Sequence, residues 1–346
     1  MRTLLGSRRT SASDRRRASA TFLLVALAAC SGGVTTPGAA ASTSITFTFA
    51  ALRTLDPATE GAYEAWAKAS GGDYRSLGRF VYGPSVTLPL TQPLDDGTEL
   101  LISVERPGDA DAIPSTQKLL RGTLRGGAAD LTVVGAVTQG TLQLRTRPGQ
   151  FTMFSPSDNA LNGYPSHEES GVWLFNMRPE FTAQNDMWVR LTQLSTGWTY
   201  EGWMVRDIGT PNAIWLSYGK FTPDYTGTVN TRDDTGWGPF SGVVDFRTDG
   251  EEEFPGDDWI SNPLNFAVPS ALTLPLNLRE TDTAGAFRWT HVITVEPAWN
   301  RGEPIGSEHP FFVRPYEDEF GGGAPGTPRT ITFRSEGVPA AHVMAR

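Results

Sequence analysis

The chain has 346 residues, with 39% apolar and 19% charged positions, 37 glycines and 25 prolines; that apolar share can build cores, and the turn formers punctuate short strands. A net charge of −9 disfavours a general nucleic-acid binder, and a single cysteine excludes an internal disulfide or a thiolate metal cluster. The sequence holds no run of 18 or more apolar residues, hence no ordinary membrane-spanning helix.

Residues 1–29 carry Arg2, Arg8, Arg9, Arg15, Arg16 and Arg17 against Asp14, followed by a short apolar run from Thr21 to Ala29. A basic segment followed by an apolar run too short to span a bilayer reads as a signal peptide. The run ends Leu27-Ala28-Ala29-Cys30, which resembles a bacterial lipobox. Small residues stand where a peptidase must bind extended backbone, just before the cysteine that takes the lipid. Cys30 is therefore the expected lipidation site, and Ser31 after it favours the outer membrane. Residues 30–43 read as the lipidated cysteine and a flexible tether. Cleavage after residue 29 removes six bases and one acid, moving the net charge from −9 to −14. Membrane attachment is then expected through the lipid anchor only.

Beyond the tether, Ile45, Phe47 and Phe49 alternate with Thr46 and Thr48, the period of a strand. Tyr63-Glu64-Ala65-Trp66 then recurs as Tyr200-Glu201-Gly202-Trp203. Ser76-Leu77-Gly78-Arg79-Phe80 recurs as Ser217-Tyr218-Gly219-Lys220-Phe221, and Leu101-Ile102-Ser103-Val104-Glu105 as Val292-Ile293-Thr294-Val295-Glu296. The order is the same and the offsets are 137, 141 and 191. Three pairs in one order predict two copies of one domain. The jump in offset places about fifty extra residues in the second copy, between Phe221 and Val292. The units read as short strands with Gly/Pro punctuation, which predicts an all-β chain of two tandem antiparallel β-sandwich-like domains.

At these residues the chain resembles the C-terminal, extracytoplasmic domain of anti-sigma-K factors. That pattern runs from a Tyr-x-x-Trp strand to a Gly-x-Phe strand and on to Val-Thr-Val-Glu-Pro and a loop. The second copy supplies Tyr200, Trp203, Gly219, Phe221 and Ile293-Thr294-Val295-Glu296-Pro297. The first supplies Tyr63, Trp66, Gly78, Phe80 and Ile102-Ser103-Val104-Glu105, with Pro107 one place late. The family carries a cytoplasmic helical segment that holds the sigma factor and then a transmembrane helix, and this sequence shows neither. The resemblance implies a fold and a compartment, not sigma inhibition.

The expected organisation is a signal peptide at 1–29, the tether at 30–43, a first β domain at 44–140, a structured connection at 141–180, a second β domain at 181–335 and a tail at 336–346. Tyr63, Trp66, Tyr200 and Trp203 are expected as repeated core positions, where aromatic side chains pin a sheet. Glu105 and Glu296 read as strand-end groups rather than a catalytic pair. His167, His291, His309 and His342 lack metal-ligand spacing, so neither metal nor cofactor is expected. The acidic stretch Asp245 to Asp258 leaves calcium open as an alternative to a solvated loop. Trp237, Phe240 and Trp259 are the candidate binding patch of the insert. The expected function is a non-catalytic, lipid-anchored interaction or sensing module of the cell envelope. Its partner would be an unidentified envelope protein; the alternative is a carbohydrate or other polymer bound by the insert aromatics.

Overall fold

The alternation that marks the first strand is what the structure realises: Ile45, Phe47 and Phe49 are buried while Ala50 is exposed and Thr46 only half-buried. The computed structural model describes residues 43–133, 149–155, 158, 166–173, 191, 194–223, 231–233, 256–261, 269–299 and 310–346. Their strands are β1 (Ser44–Ala50), β2 (Ala62–Lys68), β3 (Tyr74–Phe80), β4 (Ser85–Pro89), β5 (Glu99–Glu105), β6 (Lys118–Thr123), β7 (Ala128–Thr132), β8 (Gly149–Met153), β9 (Gly171–Trp173), β10 (Trp198–Arg206), β11 (Ile214–Pro223), β12 (Thr231–Asp233), β13 (Gly256–Asp258), β14 (Trp289–Pro297), β15 (Tyr316–Glu319), β16 (Arg329–Ile331) and β17 (Ala340–Ala345). Among the described residues, helical structure is confined to short 3-10 turns such as Glu168–Ser170 and Ser335–Gly337. The fold is all-β and antiparallel, as the sequence predicts.

One sheet of eight strands runs β3-β2-β5-β6-β7-β17-β1-β4. Its outermost strands, β3 and β4, lie against each other, so the sheet curls around its interior. The remaining strands form the orders β12-β11-β10-β14-β15 and β13-β9-β8-β16. The latter two are joined by a single bridge, Tyr316 to Phe333, much as β6 and β7 share the single pair Arg121–Thr132. The two halves thus have one plan. β2, β3, β5 and β6 correspond to β10, β11, β14 and β15; β1 and β4 correspond to β9 and β13; β7 corresponds to β16.

The registers agree residue by residue. Tyr63 faces Phe80 and Val104, and Tyr200 faces Phe221 and Val295. Both central strands carry a bulge before the tryptophan, between Ala65 and Trp66 and between Gly202 and Trp203. Opposite each bulge sits a glycine with positive φ, 130° at Gly78 and 110° at Gly219, a backbone shape that side chains disfavour.

The second half is inserted into the first, between β7 and β17. The strand after β7 is β8, yet β8 pairs with β16 and β9 of the second half. The strand after β16 is β17, yet β17 lies between β7 and β1 of the first half. Two expectations are corrected here. Residues 336–346, read as a tail, contain an interior strand: Ala341 and Val343 point into the core while His342 and Met344 face out. The connection at 141–180 contains β8 and β9, which belong to the second half. A strand of five or six residues closes a sheet through its backbone and offers few side chains, so its hydrophobic signal is short.

The first interior is an aromatic column. Phe47, Phe49, Phe80 and Tyr63 stack, with centroids 5.3 Å apart for Phe49–Phe80 and 5.5 Å for Tyr63–Phe80. Buried residues of both halves belong to one continuous core, and Ala41–Arg346 is one compact unit. At the seam Gln117 Nε2 donates to Gly197 O at 2.8 Å, and a Cβ on Gly197 would fall 2.3 Å from Thr116 O.

Because β17 returns to complete the first sheet and the halves share one core, calorimetry is expected to give one unfolding transition. Val343→Asp places a charge at a fully buried site of β17 and should lower the midpoint of that whole transition, at a cost of about 4 kcal/mol or more. Two resolved transitions, with only one displaced, would contradict the shared core.

Candidate functional site

The repeated residues meet on the face of β2 and β5 opposite the aromatic column, and on the same face of β10 and β14. Residues two apart on a strand share a face, which brings Glu64 beside Trp66 and Ser103 beside Glu105. The Trp66 indole N–H donates to Ser103 Oγ at 2.8 Å, and the Ser103 hydroxyl donates to Glu105 Oε1. The backbone N–H of Ser115 closes the chain on both Glu105 oxygens at 3.2 Å. In the second half Trp203 donates to Thr294 Oγ1 at 2.9 Å, Thr294 donates to Glu296 Oε1 at 2.5 Å, and the Phe311 N–H donates to Glu296 at 2.8 Å. One hydroxyl both accepts and donates, which is why Ser or Thr stands at that place.

A second acid is repeated beside each relay. Glu64 accepts from Ser76 Oγ at 2.5 Å and from Arg79 Nε at 2.8 Å. Glu201 accepts from Ser217 Oγ at 2.7 Å, with Lys220 Nζ 3.8 Å away. Both serine hydroxyls also accept the N–H of the bulge glycine, at 3.1 Å for Gly78 and 3.0 Å for Gly219. These groups are interior: Glu105 and Glu296 are each 1% exposed and Ser103 not at all. The arrangement orients carboxylates and hydroxyls within the fold and offers a substrate no approach. Its chemistry is structural polarity, held by hydrogen bonds within the fold.

Burial sets the proton affinity of Glu105. Desolvation pushes its carboxyl up to about 7, aided by the charges of Glu64 and Asp109 and opposed by the hydrogen bonds from Ser103 and Ser115. The second interior holds a different titratable group. His291 on β14 is fully buried, meets Phe151 of β8 in a T-shaped contact at 4.4 Å, and sits 2.9 Å from Tyr218 Oη through Nε2. Burial pushes its imidazole down to about 3 and raises the Tyr218 phenol well above its usual range. His291 is neutral at ordinary pH.

The predicted site residues divide sharply. Tyr63, Trp66, Tyr200 and Trp203 are core, 1%, 1%, 0% and 1% exposed. Trp259 does not belong to an exposed patch: it is 0% exposed, its backbone N–H donates to Ser170 O, and Leu276 N–H donates to its carbonyl, so it is packed directly behind β13. Trp237, Phe240, Cys30, His309 and residues 245–255 lie outside the described residues, while Asp258, at the end of the acidic stretch, is buried. The described residues contain no group of three metal-ligating side chains, and no described helix is long and apolar enough to cross a membrane. Sequence reading missed the hydroxyl link, although Ser103 and Thr294 stand two places before each glutamate. It also missed Tyr218 with His291, which only the fold brings together.

Two curled antiparallel assemblies with matching registers and matching buried relays define the class of this protein. Within it, residues 3–118 match the family model described as anti-sigma-K factor rskA, C-terminal. The match covers about a third of the chain, ends at the first residue of β6, and does not extend to the second half. No curated protein and no solved structure matches the chain.

A raised carboxyl pKa means the native state holds a proton that the unfolded chain releases, so this contribution to stability is present below about pH 4.5 and lost as pH rises through about 7. Relative to Glu105→Gln, wild-type stability is expected to fall by roughly 3 kcal/mol over that interval, read by urea unfolding at a series of pH values. Equal pH slopes in the two proteins would refute it.

Gly202 gives a second test. A Cβ there would lie 1.6 Å from the Tyr218 ring, and the corresponding trio in the first half is Ala65, Leu77 and Leu100 against Gly202, Tyr218 and His291. Gly202→Ala alone should cost about 3 kcal/mol or more. Adding Tyr218→Leu and His291→Leu should recover most of that loss in thermal unfolding. A triple variant no more stable than the single one would show that the two interiors are not interchangeable.

Proposed function

We propose that the chain is a non-catalytic interaction or sensing lipoprotein of the cell envelope, made of two anti-sigma-K-like domains in tandem. The match of residues 3–118 to the anti-sigma-K model carries this reading, because it bears a regulatory name and covers the first set of repeated strands. The recurrence of the same bulge, glycine and relay in β10, β11 and β14 supports reading the second half as another copy. The buried position of Glu105 and Glu296 supports a role in recognition rather than in acid–base chemistry. Cys30 and the tether after it supply the anchor, and the shared core binds the two halves into a single folded unit. Recognition is then expected on its outer surface, outside the cytoplasm.

The test is crosslinking in living cells followed by purification through a C-terminal tag, comparing wild type with Cys30→Ala. Recovery of one envelope protein with the anchored form, and its loss with Cys30→Ala, is the expected result. Polysaccharide recovered in place of a protein would replace this reading by glycan binding. Equal membrane fractionation of the two forms would remove the lipid anchor.

A further inference from the structure

A cavity of about 370 Å³ opens to solvent at the seam, where the segment after β1 meets the approach to β15 and the 3-10 turn Ser335–Gly337. Arg53, Phe312, Arg314, Glu317, Arg334 and Glu336 line it. Three guanidiniums around one cavity stand out in a chain of net charge −9.

Two of the three are engaged. Arg53 holds Glu60 through two parallel hydrogen bonds, one of them 2.8 Å, and lies 5.6 Å from the Phe312 ring centre. Arg334 binds Glu336 at 2.7 Å and reaches Glu317 at 3.9 Å. Arg314 is different. Its guanidinium lies over the Trp215 ring at 4.5 Å, and among the described residues its side chain has neither a hydrogen-bond acceptor nor a carboxylate within ion-pair distance. Its backbone is fixed: Arg314 N–H donates to Gly337 O at 2.7 Å, and a Cβ on Gly337 would fall 2.1 Å from Arg314 O. The facing rim residue Ala51 holds φ at 54°, a strained value for alanine. Burial weakens the hold of Arg314 on its proton, with the charge of Arg53 adding to this and those of Glu317 and Glu296 opposing it.

We infer that this cavity binds a monoanionic carboxylate carried on an apolar group, with Arg314 as its counter-charge and Phe312 and Leu52 as its apolar wall. A guanidinium presents paired donors that match a flat carboxylate. The acids on the rim, Glu317 and Glu336, penalise a phosphate dianion. The volume lies at the small end for ligand sites, which suits a small organic acid or the C-terminal end of a peptide. The envelope reading stands without this site, so the failure of either leaves the other to be judged alone.

Titration calorimetry on the full chain tests it with 3-phenylpropanoate, 3-phenylpropanamide, inorganic phosphate and the dipeptide N-acetyl-Ala-Phe as free acid and as C-terminal amide. The two acids are expected to bind with Kd of about 1 mM or tighter, and the amides and phosphate at least tenfold more weakly. The dipeptide acid binding tenfold tighter than the small acid marks a peptide end as the source; equal affinities mark a free acid. Arg314→Gln should weaken the acids at least tenfold. Glu336→Gln alters an exposed rim residue that the fold does not need, and it should tighten them about twofold or more by removing a repelling charge. Acids and amides binding alike, no binding at ~10 mM, or unchanged affinity in Glu336→Gln would each overturn the assignment, whether or not Arg314→Gln folds.

Discussion

β17, the last strand of the chain, completes the sheet that β1 begins, and the rest of the structure depends on that return. A sheet interrupted between β7 and β1 would expose two rows of unpaired backbone groups, each expensive to leave without partners. β17 satisfies both rows at once, from Ile45–Ala345 on one side to Ala340–Thr132 on the other. β8 does the same between β16 and β9. The seam adds close backbone approach at Gly197 and aromatic contact between Tyr63 and Phe312.

Inside this frame the halves balance polarity in the same way and packing in different ways. The tryptophan, hydroxyl and glutamate chain recurs because each link fills the hydrogen-bonding capacity of the next, and removing one would strand its neighbours in an apolar interior. The packing against the bulge has diverged. The first half sets Ala65 against Leu77; the second removes the methyl at Gly202 and fills the space with the Tyr218 ring, whose hydroxyl then meets His291. A larger ring on one side is compensated by a smaller residue on the other, as close packing requires.

Two of the buried titratable groups, Glu105 and His291, act on stability in opposite directions. Glu105 holds a proton more tightly in the fold than out of it, whereas His291 cannot accept one until the pH is near 3. Between about pH 4.5 and 6.5 acidification strengthens the fold through Glu105 and weakens it through His291. The polar interior is thus a stability device, and at the seam Arg314 is held by backbone contacts on β15's approach and by Trp215 from β11.

The amino-acid sequence by itself determined the class of fold, the strands β1, β2, β3, β5, β10, β11 and β14, and the burial of Trp66 and Trp203. Those features are local: period two, bulge glycines and repeated aromatics are written in neighbouring residues. The tertiary structure decided which strands meet. Ala340–Ala345 is short, and nothing in its letters says that it lies between β7 and β1. Trp259 reads as an insert aromatic, and only the packing of Ser170 and Leu276 around it makes it core. Ser103 and Glu105 are legible as one face of one strand, but their link to Trp66 crosses to another. Tyr218 and His291, or Arg53 and Arg314, are brought together from distant stretches of the chain. Such pairings are set by backbone hydrogen bonding across strands, which the order of residues along a single strand does not encode.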